Sequence, residues 1–168
     1  MKRKIFILIS FFSMGLSAQE AVIPAFLEKW ENSKTYLIAI AKAMPEEDFN
    51  YSPTPREMSF KAQLLHIKGN MDWLGQSYFD KSNTTTKQAK PKTKTEVITA
   101  LEKSFDAVAQ QVQGTSRKEL ATVVDFFAGP KTKLQILNLL QDHVTHHRGQ
   151  LIVYLNLNEI RPPDYVGW

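Results

Sequence analysis

The sequence predicts an all-α protein, a four-helix bundle, and two observations favour this fold class. Apolar residues recur at the helical period in four long stretches, and proline, glycine and polar residues gather between the stretches. A length of 168 residues with 43% hydrophobic content suits a single domain with a real core, and no segment repeats internally. No stretch gives a convincing strand pattern, so we expect no sheet.

The first helix is predicted over Gln19–Met44, where Pro45 ends it. Pro24 lies in its first turns and could delay its start. Its apolar residues include Phe26, Trp30, Tyr36, Leu37 and Ile40. A proline-rich loop covers residues 45–58 and separates this helix from the next.

The second helix is predicted to begin after Ser59, a residue type that caps helices. Its apolar stripe consists of Phe60, Leu64, Ile67, Met71, Leu74 and Tyr78. Beside the stripe lie Ala62, His66, Asn70 and Trp73, whereas Lys61, Lys68 and Asp72 are predicted to face away from the core.

A polar, lysine-rich connection over residues 80–93 leads to a third helix, predicted at about Lys94–Gln113. The extended connection could reach ~45 Å, which exceeds the ~30 Å length of a twenty-residue helix. Helices two and three can therefore lie parallel, joined by a long crossover. If helices two and four are antiparallel neighbours, His66 and His147 come to a similar depth.

The fourth helix follows a looser stretch through Gly129 and Pro130, and its periodic pattern extends over residues 132–157. His147 falls near the middle of its apolar stripe, made by Ile136, Leu137, Leu140, Val144, Leu151, Tyr154 and Leu155, and His143 falls on the flank. Both rings should point into the core, where polar groups need a partner. Arg148 is predicted on the opposite, polar side as a solvated or capping residue whose replacement barely changes metal content.

His143 and His147 are one helical turn apart, which places their Cβ atoms about 6 Å apart on one face. Two imidazoles at this spacing can meet one ion at roughly 2.0–2.1 Å. With His66 as a third ligand, the sequence predicts a metal site. His146 points about 100° away from His147 and is left out of the ligand set. Val144 replaces the glutamate base of the metalloprotease helix motif, which excludes that class.

The N-terminus predicts a secretory signal over residues 1–18, with a basic start, a short apolar run and small residues at Ser17 and Ala18. Residues 19–168 would form the mature domain, secreted or periplasmic after cleavage near Ala18. The apolar run is too short for a permanent membrane anchor. The chain has no cysteine, so any metal must use nitrogen and oxygen ligands, and a lipoprotein signal and disulfides are excluded.

The charge of the mature chain is nearly balanced. The signal segment holds three of the 21 Lys and Arg residues and no acid, which leaves 18 basic against 17 acidic residues. With the charges so nearly balanced, the composition gives no reason to expect a nucleic-acid partner, and it indicates no substrate class.

Three features together resemble the DinB/YfiT-like family of metal-binding four-helix bundles across essentially the whole mature chain. They are His66 in its Ser-Phe-x-x-Gln-Leu-Leu-His-Ile context, the run from His143 to Gln150, and the closing Arg-Pro-Pro-Asp-Tyr at 161–165. The resemblance implies an up-down-down-up bundle, frequent dimers, ligands at His66, His143 and His147, and a divalent ion such as zinc or nickel. Its members include thiol transferases, isomerases of thiol adducts and hydrolases.

A three-histidine site leaves a coordination position open, which predicts metal-assisted hydrolysis or nucleophile activation on a small molecule. Asp72 and Asp142 are predicted on outer faces and supply no obvious general base. The residues expected to line the site are Asn70, Trp73, Gln150 and Tyr154. Gln150 could orient the ring of a metal-binding histidine. For Trp73 and Tyr154, core packing is the simpler role. A non-catalytic metal-binding or structural dimer and a metal-free bundle are the alternatives.

Overall fold

The computed structural model describes residues 21–82 and 90–167, and four long helices dominate this part of the chain. The helices are α1 (Val22–Ala43), α2 (Phe60–Tyr78), α3 (Lys94–Gln113) and α5 (Lys133–Leu157). Between α3 and α5 lie a short helix, α4 (Arg117–Leu120), and two short strands, β1 (Val123–Val124) and β2 (Lys131–Thr132). The predicted four-helix bundle is confirmed.

Capping residues set the starts of three long helices, and these starts agree with the predicted ones within one residue. The Ser59 side chain accepts a hydrogen bond from the Ala62 N–H at 3.2 Å and begins α2. Capping boxes begin the others, with Thr93 and Glu96 before α3 and Thr132 and Gln135 before α5. At the end of α1, Met44 takes an extended conformation, as expected of a residue that precedes proline.

The helices run up, down, down and up, as the family resemblance implies. Helix α1 is antiparallel to α3, because the start of α3 lies beside the end of α1. The Lys94 ammonium at the start of α3 donates at 2.5 Å to the carbonyl of Met44, which follows α1. Helices α2 and α3 are parallel neighbours, since Asp72 accepts from Ser104 and, further along both helices, Lys81 donates to Gly114. Helix α5 packs against α2 and α1.

Large apolar side chains from different helices fill the centre of the bundle. Trp30, Phe60 and Phe105 are almost fully buried, and the Trp30 ring donates its N–H to the Phe105 carbonyl at 3.0 Å. The loop before α2 joins this core through Phe49, whose ring lies 5.6 Å from that of Phe60. The packed interior fixes the distance between α2 and α5, the helices that carry the histidines.

The prediction that Lys68 and Asp72 face away from the core is wrong. Lys68 is only 9% exposed, and its ammonium lies 2.5 Å from an Asp72 carboxylate oxygen. The other Asp72 oxygen accepts a hydrogen bond from the Ser104 hydroxyl at 2.6 Å. Helix α2 contacts both α3 and α5, so its buried arc is wider than its apolar stripe.

The polar position predicted for Arg148 is also wrong. Arg148 is 5% exposed, and its guanidinium carbon lies 5.1 Å from the centroid of the Tyr36 ring on α1. Burial lowers the pKa of this guanidinium. Because α5 packs against α1 as well as α2, the buried side of α5 extends past its apolar stripe and takes in Arg148.

A small antiparallel hairpin before α5 was not predicted. Val123 pairs with Thr132 and Val124 with Lys131, and Gly129 takes a positive φ of 87° in the turn between them. Strands of two residues each are too short to produce an alternating pattern. The hairpin carries Phe126 and Phe127 next to α2.

The predicted secretory signal at residues 1–18 and positions 83–89 of the predicted crossover lie outside the described residues. Within the described ranges, no helix is both long and apolar enough to cross a membrane.

Candidate metal centre

His66 from α2 meets His143 and His147 from α5 at the edge of the contact between these helices. Each side chain offers one ring nitrogen, and the three nitrogens lie within 4.8 Å of one another. The ring centroids are 4.8 Å apart for His66 and His143, 4.6 Å for His66 and His147, and 4.5 Å for His143 and His147. His147 is buried, His143 is partly buried and His66 is exposed, so the cluster opens to solvent on the α2 side.

The spacing of the cluster suits a single small ion. The Nε2 atoms of His66 and His143 are 3.1 Å apart, close to the roughly 3.3 Å between two nitrogens bound tetrahedrally to zinc. The remaining separations, up to 4.8 Å, need ring rotations to reach this value. The i, i+4 spacing on α5 and the antiparallel arrangement of α2 and α5 produce the cluster.

A chain of hydrogen bonds fixes the orientation of the His147 ring. The Met58 carbonyl can only accept, so the Tyr154 hydroxyl donates to it at 2.9 Å. The Tyr154 oxygen then accepts from the Gln63 amide nitrogen at 3.4 Å, which turns the Gln63 amide oxygen toward His147 Nδ1 at 2.5 Å. Nδ1 therefore carries the proton, and the lone pair of His147 is on Nε2.

Gln150 lies beside the same ring. Its amide oxygen is 3.0 Å from His147 Nδ1, the position from which it can orient the ring. Its amide nitrogen lies 3.4 Å from His146 Nε2 and donates to it. His146 is exposed and its ring stands perpendicular to that of His147, with the centroids 4.8 Å apart. His146 does not join the three-histidine group.

Burial keeps two of the histidines neutral. The pKa of His143 is lowered to about 4, mainly by burial and also by the positive charges that His147, His66 and His146 would carry. Burial is also the main cause of the lowered pKa of His147. Neutral imidazole is the form that binds metal, so both rings are ready to act as ligands near pH 7.

One ring nitrogen of the cluster lacks a hydrogen-bond partner in the part of the chain that the structure describes. His143 Nδ1 is buried and makes no hydrogen bond within the described residues. Since nearly all buried polar atoms are paired in folded proteins, this atom has bonding capacity that the described chain does not use. The donor set is three imidazoles, and this kind of donor fits a divalent ion of intermediate softness.

No carboxylate of the described residues joins the histidine group. Asp72 is engaged with Lys68 and Ser104 at the contact with α3, and Asp142 is exposed. The described part of the chain thus offers three histidine nitrogens at this place and no fourth histidine or carboxylate ligand. A bound ion would then have a coordination position available for an exogenous ligand.

The predicted walls of the site have different surroundings. Asn70 is partly buried, and its amide oxygen has no partner within the described residues. Tyr154 is 4% exposed and packs in the core. Trp73 is 41% exposed, so the prediction that it packs in the core is wrong.

Gln63 was not predicted as part of the site, although a glutamine three residues before His66 lies on the same side of α2.

The chain is similar in sequence to a known protein family and similar in fold to solved structures. The profile of the DinB family matches residues 14–164. The crystal structure of a DinB-like protein from Bacillus subtilis superposes with a TM-score of 0.70 at 16% identity, over 85% of this chain and 97% of that one. A DinB-like protein from Bacillus cereus gives a TM-score of 0.70 at 21% identity, over 83% and 95% of the two chains. No curated protein sequence matches this chain. At these identities, the solved structures show a shared fold.

Proposed function

This chain belongs to the DinB family, and we propose that it is a metal-dependent enzyme whose single ion is bound by His66, His143 and His147. The observation that carries the proposal is the convergence of three ring nitrogens within 4.8 Å on two packed helices. Zinc or nickel is the expected ion, because both accept imidazole ligands readily.

The chain prepares the histidines for an ion in two ways. Gln63 and Gln150 accept from His147 Nδ1, which directs the lone pair on Nε2 away from them. Burial favours the neutral form of His143 and His147, so protons compete weakly for these nitrogens at neutral pH. When bound, a divalent ion supplies Lewis-acid activation of a water or a thiol.

The number of ligands favours an enzyme over a purely structural site. Structural zinc sites are usually closed by four protein ligands, whereas catalytic sites have three and one exchangeable position. Here the described residues provide three, and His66 is exposed on the open side. A hydrolase-type reaction fits this arrangement, and thiol transfer is the second reaction class that family membership favours.

The alternative function is a non-catalytic metal-binding bundle or a metal-stiffened dimer. Activity distinguishes the two. A panel of ester, amide and thiol-transfer substrates is assayed on zinc-loaded and nickel-loaded protein, with His147→Ala as the inactive reference. Turnover that disappears in the variant supports the enzyme, and metal binding without turnover across the panel favours the non-catalytic protein.

Export is a further part of the proposal. It is supported by the basic start, the short apolar run and the small residues of positions 1–18. Cell fractionation followed by N-terminal sequencing tests it, and the expected product begins near Gln19 in the secreted or periplasmic fraction. A full-length chain in the cytoplasm would refute export without affecting the metal site.

The central experiment measures metal by elemental mass spectrometry on protein purified without an affinity tag. We expect close to one divalent ion per chain in the wild type and loss of the ion in His147→Ala. His146→Ala is the matched control, because it removes a neighbouring histidine outside the cluster and should keep the ion. Absence of an ion in all three proteins, even after addition of zinc or nickel, would refute the metal-dependent function.

A further inference from the structure

Three aromatic rings form an exposed surface where the hairpin meets α2. The Trp73 and Phe126 rings are stacked at 5.8 Å with an interplanar angle of 18°, and Phe127 lies 4.4 Å from Phe126 and 6.1 Å from Trp73. Phe127 is 83% exposed and Trp73 is 41% exposed. We call Trp73, Phe126 and Phe127 the aromatic platform. Contiguous exposed apolar patches of this kind often mark binding sites.

The hairpin holds the platform in a defined position. Its strands are paired, and the Lys133 N–H donates to the Thr122 carbonyl at 3.0 Å where the hairpin joins α5. The Tyr78 hydroxyl donates to the Asp125 carbonyl at 3.1 Å, which ties the turn to α2. The exposure of Phe127 therefore belongs to an anchored element of the fold.

The platform and the histidine cluster lie on the same side of α2. Trp73 follows His66 by seven residues, which places it about 10 Å further along the same helical face. Asn70 lies between them on that face, with its buried amide oxygen unpaired within the described residues. A continuous strip of α2 thus leads from an open metal-binding cluster to exposed rings.

We propose that the aromatic platform binds a planar aromatic group of the substrate, at the opposite end from the group that reaches the histidines. This inference rests on the proposed function and specifies its substrate class: an elongated small molecule with a flat ring about 10 Å from its reacting group. The ring packs against the exposed parts of Phe127 and Trp73 by offset or edge-to-face contact.

The size of the platform favours a small molecule over a second copy of the chain. From the exposed fractions of Phe127 and Trp73, the two rings present on the order of 300 Å². A stable protein–protein interface needs about 800 Å² on each partner. A single aromatic group of a ligand matches the smaller area, and small-molecule sites are typically lined by aromatic side chains with a few polar groups.

The test uses alkyl thiols of increasing chain length, each with or without a terminal phenyl ring, titrated calorimetrically into zinc-loaded protein. The thiol binds the ion and the ring probes the platform. We expect the phenyl group to increase affinity by roughly tenfold only when the chain can span about 10 Å. Phe127→Ala and Trp73→Ala should abolish this gain. Val153→Ala, which truncates an exposed residue on the outer side of α5, should retain it.

A second measurement does not depend on the metal. Saturation-transfer NMR on metal-free protein detects contact between the phenyl protons of the longest thiol and the protein, and this signal should fall in Phe127→Ala but persist in His147→Ala. An unchanged phenyl signal in Phe127→Ala, or equal affinity of phenyl and plain thiols at every length, would overturn the aromatic platform. Failure of zinc to bind, with a phenyl signal that still depends on Phe127, would instead refute the proposed metal function alone.

Discussion

Replacement of Gln63 by leucine tests whether the buried amide positions His147. The change preserves much of the side-chain volume and removes both the 2.5 Å contact to His147 Nδ1 and the 3.4 Å contact to Tyr154. Gln150 remains as an acceptor at 3.0 Å, so the ring loses one of two partners. Groups that orient metal-binding histidines typically contribute 10–100-fold to affinity, and we expect a loss of about tenfold at the lower end of that range.

The assay is competitive titration of zinc against a chelator of known affinity. The same samples give the melting temperature with and without zinc, and the zinc-induced increase should shrink in the variant because weaker binding stabilises the folded state less. Gln76→Leu is the matched control, an exposed glutamine on the same helix. Zinc affinity equal to wild type in Gln63→Leu, with a folded protein, would refute the positioning role. A loss of equal size in Gln76→Leu would show that the effect is not specific.

Three further predictions concern residues around the site. Arg148→Ala should lower the free energy of unfolding by about 2 kcal/mol in urea titrations, because it leaves a cavity against Tyr36. Arg148→Met fills the space without a buried charge, so its free energy of unfolding should stay within about 1 kcal/mol of the wild-type value or exceed it. Asp72→Ala should lower the free energy of unfolding by about 2–3 kcal/mol in the same measurement, because it leaves the buried Lys68 ammonium unpaired. Its zinc content should stay unchanged. A loss of zinc would contradict the orientation of Asp72 toward α3. Without metal, the melting temperature should fall as pH decreases from 6.5 toward 4, because the pKa of His143 is about 4 in the folded state and the unfolded chain takes up the proton first; His143→Gln should flatten this dependence.

Most of the secondary structure could be predicted because it depends on local chemistry. The starts of α2, α3 and α5 follow from the capping residues Ser59, Thr93 and Thr132, whose side chains accept from backbone N–H groups at each start. The grouping of the three histidines also follows from local spacing once α2 and α5 are antiparallel neighbours. From the sequence, that pairing was only a condition: the connection length allowed α2 and α3 to be parallel, and the up-down-down-up order came from the family resemblance.

The errors concern the direction of long polar side chains. Helical winding places Arg148 and Lys68 outside the apolar stripe, but each helix contacts two neighbours, and the second contact buries them. Gln63 was missed because an amide beside a stripe gives no sign of its partner, which lies 84 residues away on another helix. The hairpin was not predicted because its short strands have no period, and the contact between Trp73 and Phe126 therefore was not predicted either.

The cluster joins parts of the chain that are far apart in sequence, since His66 and His143 are separated by 77 residues. An unfolded chain can offer an ion the i, i+4 pair on α5, but the third ligand arrives only when α2 has packed against that helix. An ion held by all three histidines would therefore distinguish folded from unfolded molecules and stabilise the former by mass action. Metal supply would then set how long the protein survives heat and proteolysis.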